Sequence, residues 1–167
     1  MVIAEICQNW LDFEMAKKMV LVAKECGAGL VKGQLYDPEQ DKDKPYYEFS
    51  KEKALTYEQA KELFDYGASI GMEVFFSVFG VKYVEWCEKI GVKRYKLACQ
   101  FRDPVTLKAV VVTRKPVLIS TNAKLEAKTP AFWNWLYCIP DYPAIIKHLA
   151  FVDFASYYAG FSDHAIG

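Results

Sequence analysis

Short apolar runs alternate with helix-like patterns along the whole chain. Val2 to Cys7 reads as a buried strand. Asp12 then caps a helix with Ala16, Met19, Val20 and Ala23 on one face, stopped by Gly27. Leu30 to Leu35 is the second strand, and the stretch from Tyr36 to Leu55, which contains DPEQDKDKP, is polar enough to predict a long surface loop. Thr56-x-x-Gln59 is a capping-box pattern that opens a helix with Ala60, Leu63, Phe64 and Gly67 facing inward, up to Gly71. The third strand is Met72 to Phe79, followed by a helix from about Val81 to Ile90 that ends at Gly91. Arg94 to Ala98 is the fourth strand, and Asp103-Pro104 starts a short helix through Val110. Pro116 to Ser120, Phe132 to Ile139 and Tyr157 to Phe161 supply the fifth, sixth and seventh strands, the last entered from an apolar run beginning at Phe151.

Strand-helix alternation of this kind predicts an α/β fold with parallel strands and right-handed crossovers. About seven strands favour a TIM-type (β/α) barrel, incomplete or shortened, in a single domain. Little room for a covering helix is left at Ala123 to Ala131, and only Pro143 to Leu149 offers one between the sixth and seventh strands. An eight-fold barrel needs a further helix and strand, and a strand such as Val2 to Cys7, apolar on both faces, is costly to leave unpaired. The expected remedy is association, as a homo-oligomer or with another chain, with Trp133 and Trp135 as candidate contacts.

Composition narrows the class. With 53% hydrophobic and 16% aromatic residues, the 167-residue chain can bury a sizeable core. Lys plus Arg and Asp plus Glu number 21 each, so no charge excess directs the chain to nucleic acid or an anionic membrane. The start, MVIAEICQNW, lacks the basic region and longer apolar segment of a signal peptide. Five cysteines without a CxxC pair fit free thiols in a reducing compartment, and a cytoplasmic protein is expected.

Candidate chemistry gathers at strand ends. In Gly160-Phe161-Ser162-Asp163-His164, the histidine and its flanking aspartate suit a metal ligand pair, an acid/base group or a solvated loop. Cys7, Cys99 and Cys138 also fall near strand ends, where they are either a soft-metal set with His164 or ordinary buried residues.

AEICQN (Ala4 to Asn9), LVKGQLY (Leu30 to Tyr36), GMEVFFSVF (Gly71 to Phe79), RYKLAC (Arg94 to Cys99), KPVLIST (Lys115 to Thr121), LYCIPDYP (Leu136 to Pro143) and GFSDHAIG (Gly160 to Gly167) occur in that order. Together they resemble the barrel domain of the N-acetylneuraminate (sialic acid) synthase family. The resemblance implies a TIM barrel that condenses phosphoenolpyruvate with N-acetylmannosamine or a related N-acyl amino sugar. It also implies a divalent metal, manganese or magnesium. On that reading Glu5 handles the proton of the attacking water, and Lys32 and Lys96 meet the anionic groups of phosphoenolpyruvate. Gln34, Ser120, Thr121 and Asn122 add hydrogen bonds to substrate, and Asp163 and His164 serve the metal. Lys32, Lys96, Glu5 and Ser120 are expected to converge on one pocket.

The departures matter as much. Tyr137 stands where the family has its first metal-binding histidine, which weakens the expected metal site, because neutral phenol is a poor ligand for a hard cation. Trp10 stands where the turn after the first strand has a histidine, Asn122 replaces a glycine, and Cys99 replaces a serine. The eighth strand and the antifreeze-like domain have no counterpart, which implies a shortened, divergent member. Two readings follow: a synthase-like enzyme, or a catalytically degenerate barrel serving as a binding or assembly module in a larger complex.

Overall fold

The computed structural model describes residues 1–99, 103–123, 131–145 and 158–164. Two compact units divide the chain, Met1–Lys93 and Arg94–Gly167. The described residues form seven strands, parallel within each unit, so the α/β class read from the alternation holds.

In the first unit β1 (Ile3–Glu5), β2 (Leu30–Leu35) and β3 (Glu73–Val78) pair in that order, with α1 (Phe13–Glu25) crossing from β1 to β2. A 3₁₀ turn (Pro38–Asp41), α2 (Tyr47–Lys53) and α3 (Tyr57–Ser69) lie between β2 and β3, and α4 (Val81–Ile90) follows β3. Asp12 starts α1 by accepting the Met15 amide at 2.7 Å, and Ala16, Val20 and Ala23 form the buried stripe. Gly27, at φ 84°, supplies the left-handed residue that ends it.

Both halves of the expected capping box are present at α3: Thr56 Oγ1 accepts the Gln59 amide at 3.1 Å, and Gln59 Oε1 accepts the Thr56 amide at 3.0 Å. Thr56→Ala should cost about 1 kcal/mol. In urea unfolding this reads as a lower midpoint with an unchanged slope.

The stretch from Tyr36 to Leu55 is not the loop its polarity predicts. Asp37 Oδ1 accepts the Glu39 amide at 3.1 Å to open the 3₁₀ turn, and α2 follows with Ser50 and Lys53 buried. The Tyr36 hydroxyl donates to the Ser50 carbonyl at 2.8 Å, and Lys53 Nζ donates to the Leu11 carbonyl at 2.8 Å. Four anchors (Tyr36, Ser50, Lys53 and Leu55) hold a segment whose other residues are mostly charged, and three of the four are polar. A lysine can be such an anchor, because its stem packs while its ammonium reaches an acceptor.

The two faces of the β1-β2-β3 sheet have different work. A Cβ on Gly67 of α3 would lie 2.4 Å from Val74 Cγ2, so Val74 faces the helix, as do its same-face neighbours Val31, Gly33 and Phe76. By strand alternation Glu5, Lys32, Gln34, Phe75 and Ser77 share the opposite face.

The second unit orders β4 (Tyr95–Leu97), β5 (Val117–Thr121), β6 (Trp133–Tyr137) and β7 (Gly160–Phe161), with α5 (Pro104–Val112) between β4 and β5. Asp103 caps α5 through the Val105 and Thr106 amides, both at 3.1 Å, with Pro104 in the first turn. β1, β4 and β7 are shorter than the apolar runs suggest, because an apolar run marks burial, whereas a strand also needs a neighbour's backbone in register. Pro143, Ala144 and Ile145 are not helical, and the remainder of the expected helix at Pro143 to Leu149 lies outside the described residues, as do most of Ala123 to Ala131 and the run from Phe151. Among the described residues no helix is long and apolar enough to cross a membrane.

Candidate functional site

In the first unit a charged cluster forms where the end of β1 meets the middle of β2. Glu5 and Lys32 are direct cross-strand partners, and their side chains form an ion pair. Lys32 is buried and its Nζ donates to Ser77 Oγ at 2.9 Å. Glu5 Oε1 accepts the Cys7 amide at 2.9 Å, where the chain turns with Cys7 at φ 36°. A non-glycine residue held there is strained, as residues at functional sites often are. Burial pushes the Cys7 thiol up to about 11, so it is no ready thiolate for a soft metal. Gln34, half-buried, pairs in register with Ser77 on the same face.

In the second unit Lys96 is buried in the middle of β4. Its Nζ donates to the Leu97 carbonyl at 2.8 Å, and among the described residues it makes no ion pair. Loss of hydration on burial lowers its pKa to about 8, against a smaller opposing pull from the Cys138 and Cys99 thiols. Register places Lys96 beside Leu118, so Ser120, two residues further on, shares its face. Ser120 Oγ is buried without a hydrogen bond of ordinary geometry, although the hydroxyl lies close enough to Cys138 to act on that thiol. Burial, foremost, pushes Cys138 up to about 12, with Cys99 adding to it. Cys99 Sγ lies 3.9 Å from Asn122 Oδ1, while Asn122 itself is exposed.

Alternation turns Thr121 and Tyr137 onto the opposite face of β5 and β6 from Ser120. Thr121 Oγ1 accepts the Ala123 amide at 3.1 Å, so this hydroxyl shapes the turn after β5. Asp163 is exposed. His164 is half-buried, with Nδ1 2.7 Å from the Ile139 carbonyl and Nε2 2.8 Å from the Tyr142 hydroxyl. Among the described residues no three His, Cys, Asp or Glu side chains gather as a metal-holding group. Both ring nitrogens of His164 are already engaged, Asp163 is exposed, and a neutral phenol, Tyr137, stands where the resemblance places a second histidine, so as placed these residues do not fit the implied metal.

The profile of the NeuB family matches residues 19–167. The chain belongs to the NeuB family. It is 30% identical over 93% of its length to an uncharacterised protein of Methanocaldococcus jannaschii, and covers 52% of that protein. It is 25% identical over 99% of its length to a pseudaminic acid synthase of Campylobacter jejuni, covering 59% of it. The chain thus spans about half the length of the curated relatives it matches. Its fold matches that of an N-acetylneuraminic acid (sialic acid) synthetase of Leptospira borgpetersenii, solved with citrate, at a TM-score of 0.84 and 19% identity, over 99% of this chain and 65% of that one.

This NeuB chain also uses residues that sequence reasoning passed over. Ser77 sits inside the apolar run MEVFFSVF, where its only signal was a hydroxyl at the alternate position from Phe75. Tyr142 lies within a recognised block, but nothing local linked it to His164, 22 residues away.

Proposed function

We propose that this chain carries the phosphoenolpyruvate-binding part of a NeuB-type synthase that condenses phosphoenolpyruvate with an N-acyl amino sugar. The observation that supports this reading is Lys96. A buried ammonium with no carboxylate partner among the described residues, on the same sheet face as a buried hydroxyl lacking an ordinary hydrogen bond, is costly unless an anion completes it. A carboxylate or phosphate offers both groups an acceptor. Lys32 is different, because Glu5 already neutralises it. We assign Lys32 the part of orienting Glu5 through their ion pair.

In such a condensation the methylene carbon of phosphoenolpyruvate bonds to the acceptor's aldehyde carbon, water supplies oxygen to C2, and phosphate leaves. No step is assigned to a metal. Calorimetry with phosphoenolpyruvate, followed by phosphate release with N-acetylmannosamine and manganese, tests the reading. Binding that Lys96→Met weakens by about a hundredfold or more, with acceptor-dependent phosphate release, is the expected result, and no binding by the natural chain would overturn it.

The buried Tyr137, standing where the family has a histidine, favours the second reading of a catalytically degenerate binding barrel. That reading expects phosphoenolpyruvate to bind without any phosphate release.

A further inference from the structure

We infer that His164 is a latch that holds the last described strand in place, and is not a metal ligand in this chain. A carbonyl only accepts, so the 2.7 Å contact with Ile139 puts the proton on Nδ1. In the neutral ring Nε2 is then the acceptor, and the Tyr142 hydroxyl donates to it at 2.8 Å. The two rings also stack, with centroids 4.0 Å apart and planes inclined by 23°. A backbone bond completes the clasp: the Ala144 amide donates to the His164 carbonyl at 2.8 Å.

The ladder these contacts support is short. β7 pairs with β6 only at Leu136 with Gly160 and Tyr137 with Phe161. Two register pairs hold a strand weakly, and a strand end left to itself frays. The latch adds two side-chain hydrogen bonds and one backbone hydrogen bond just beyond that ladder.

Tyr137 acts in the same direction. It stacks on Phe161 at 6.2 Å and meets Tyr158 edge-on at 5.5 Å, within a small core that includes Ile139 and Ala144. An aromatic ring therefore packs on β7 where the resemblance places a metal-binding histidine. A divalent ion on His164 would need Nε2, the nitrogen that Tyr142 holds, and would have to displace that hydroxyl.

The full chain tests this with Tyr142→Phe, His164→Gln and the double variant, each unfolded in urea with manganese and with a chelator. Tyr142→Phe keeps the stacked ring and removes one hydroxyl, so it should fold. The latch predicts that each single variant lowers the midpoint and that the pair is coupled by about tenfold in the unfolding constant. Manganese should leave the midpoint of the natural chain where the chelator leaves it. Nitrogen NMR of the His164 ring should show Nδ1 as the protonated nitrogen. Additive costs, an Nε2-protonated ring, or a manganese-induced rise in midpoint that His164→Gln removes would each overturn the inference. None of these outcomes depends on phosphoenolpyruvate binding at Lys96, so the two proposals fail separately.

Discussion

Lys96→Met should leave the free protein about 3 kcal/mol more stable at pH 7 while weakening phosphoenolpyruvate binding by about a hundredfold or more. The stability gain follows from the shift of the Lys96 pKa from 10.5 to about 8. Below the folded value the ammonium is charged in both states, and the whole cost of burying it falls on the fold. Between about 8 and 10.5 the unfolded chain keeps a proton that the folded chain has shed, so stability rises with pH. Above the unfolded value the cost is gone. Methionine keeps an unbranched stem of similar reach and brings no charge, so it removes the cost at every pH.

The check is urea unfolding of both proteins from pH 7 to pH 10. Their difference should be largest at pH 7 and should close through the window above pH 8. A pH-independent difference would mean that Lys96 pays no such cost. Ligand affinity should move the opposite way in the natural chain, falling as pH climbs through about 8, since the anion needs the charged ammonium. A group that destabilises the empty fold and is relieved by ligand is arranged for binding rather than for stability.

Gly67→Ala should destabilise the fold by about 3 kcal/mol, although alanine is the better helix former by about 1 kcal/mol. The added Cβ would lie 2.4 Å from Val74 Cγ2 and 2.8 Å from the Met72 carbonyl oxygen. The valine is buried in the sheet and the carbonyl belongs to the backbone, so neither can turn aside. α3 has to move off β3, and with it the strand that carries Ser77 to Lys32. Thermal unfolding and the Lys32-dependent step should therefore both suffer. A variant as stable as the natural chain would show that helix and strand do not approach so closely.

Local patterns carried most of the fold. The caps at Asp12, Thr56 and Asp103 depend on contacts within three residues, and all three begin the helices expected of them. Period-two alternation likewise fixed which residues of β2 share a face, since Lys32 and Gln34 are two apart whatever surrounds them. The stretch from Tyr36 to Leu55 failed the same kind of reading, because its helix is held by Leu11 and Tyr36 at a distance and its composition is that of a loop.

The sequence by itself determined the strand-helix order, the family resemblance and the residue types available for chemistry. Only the tertiary structure decided what state those residues are in. It neutralised Lys32 with Glu5 and left Lys96 without an ion pair among the described residues, although both are lysines within apolar strands. It committed the Thr121 hydroxyl to the turn after β5, and His164 to Ile139 and Tyr142. The reason is physical: a side chain's identity is local, but its charge, its solvation and its hydrogen-bond partners are set by strands and turns far away in the chain.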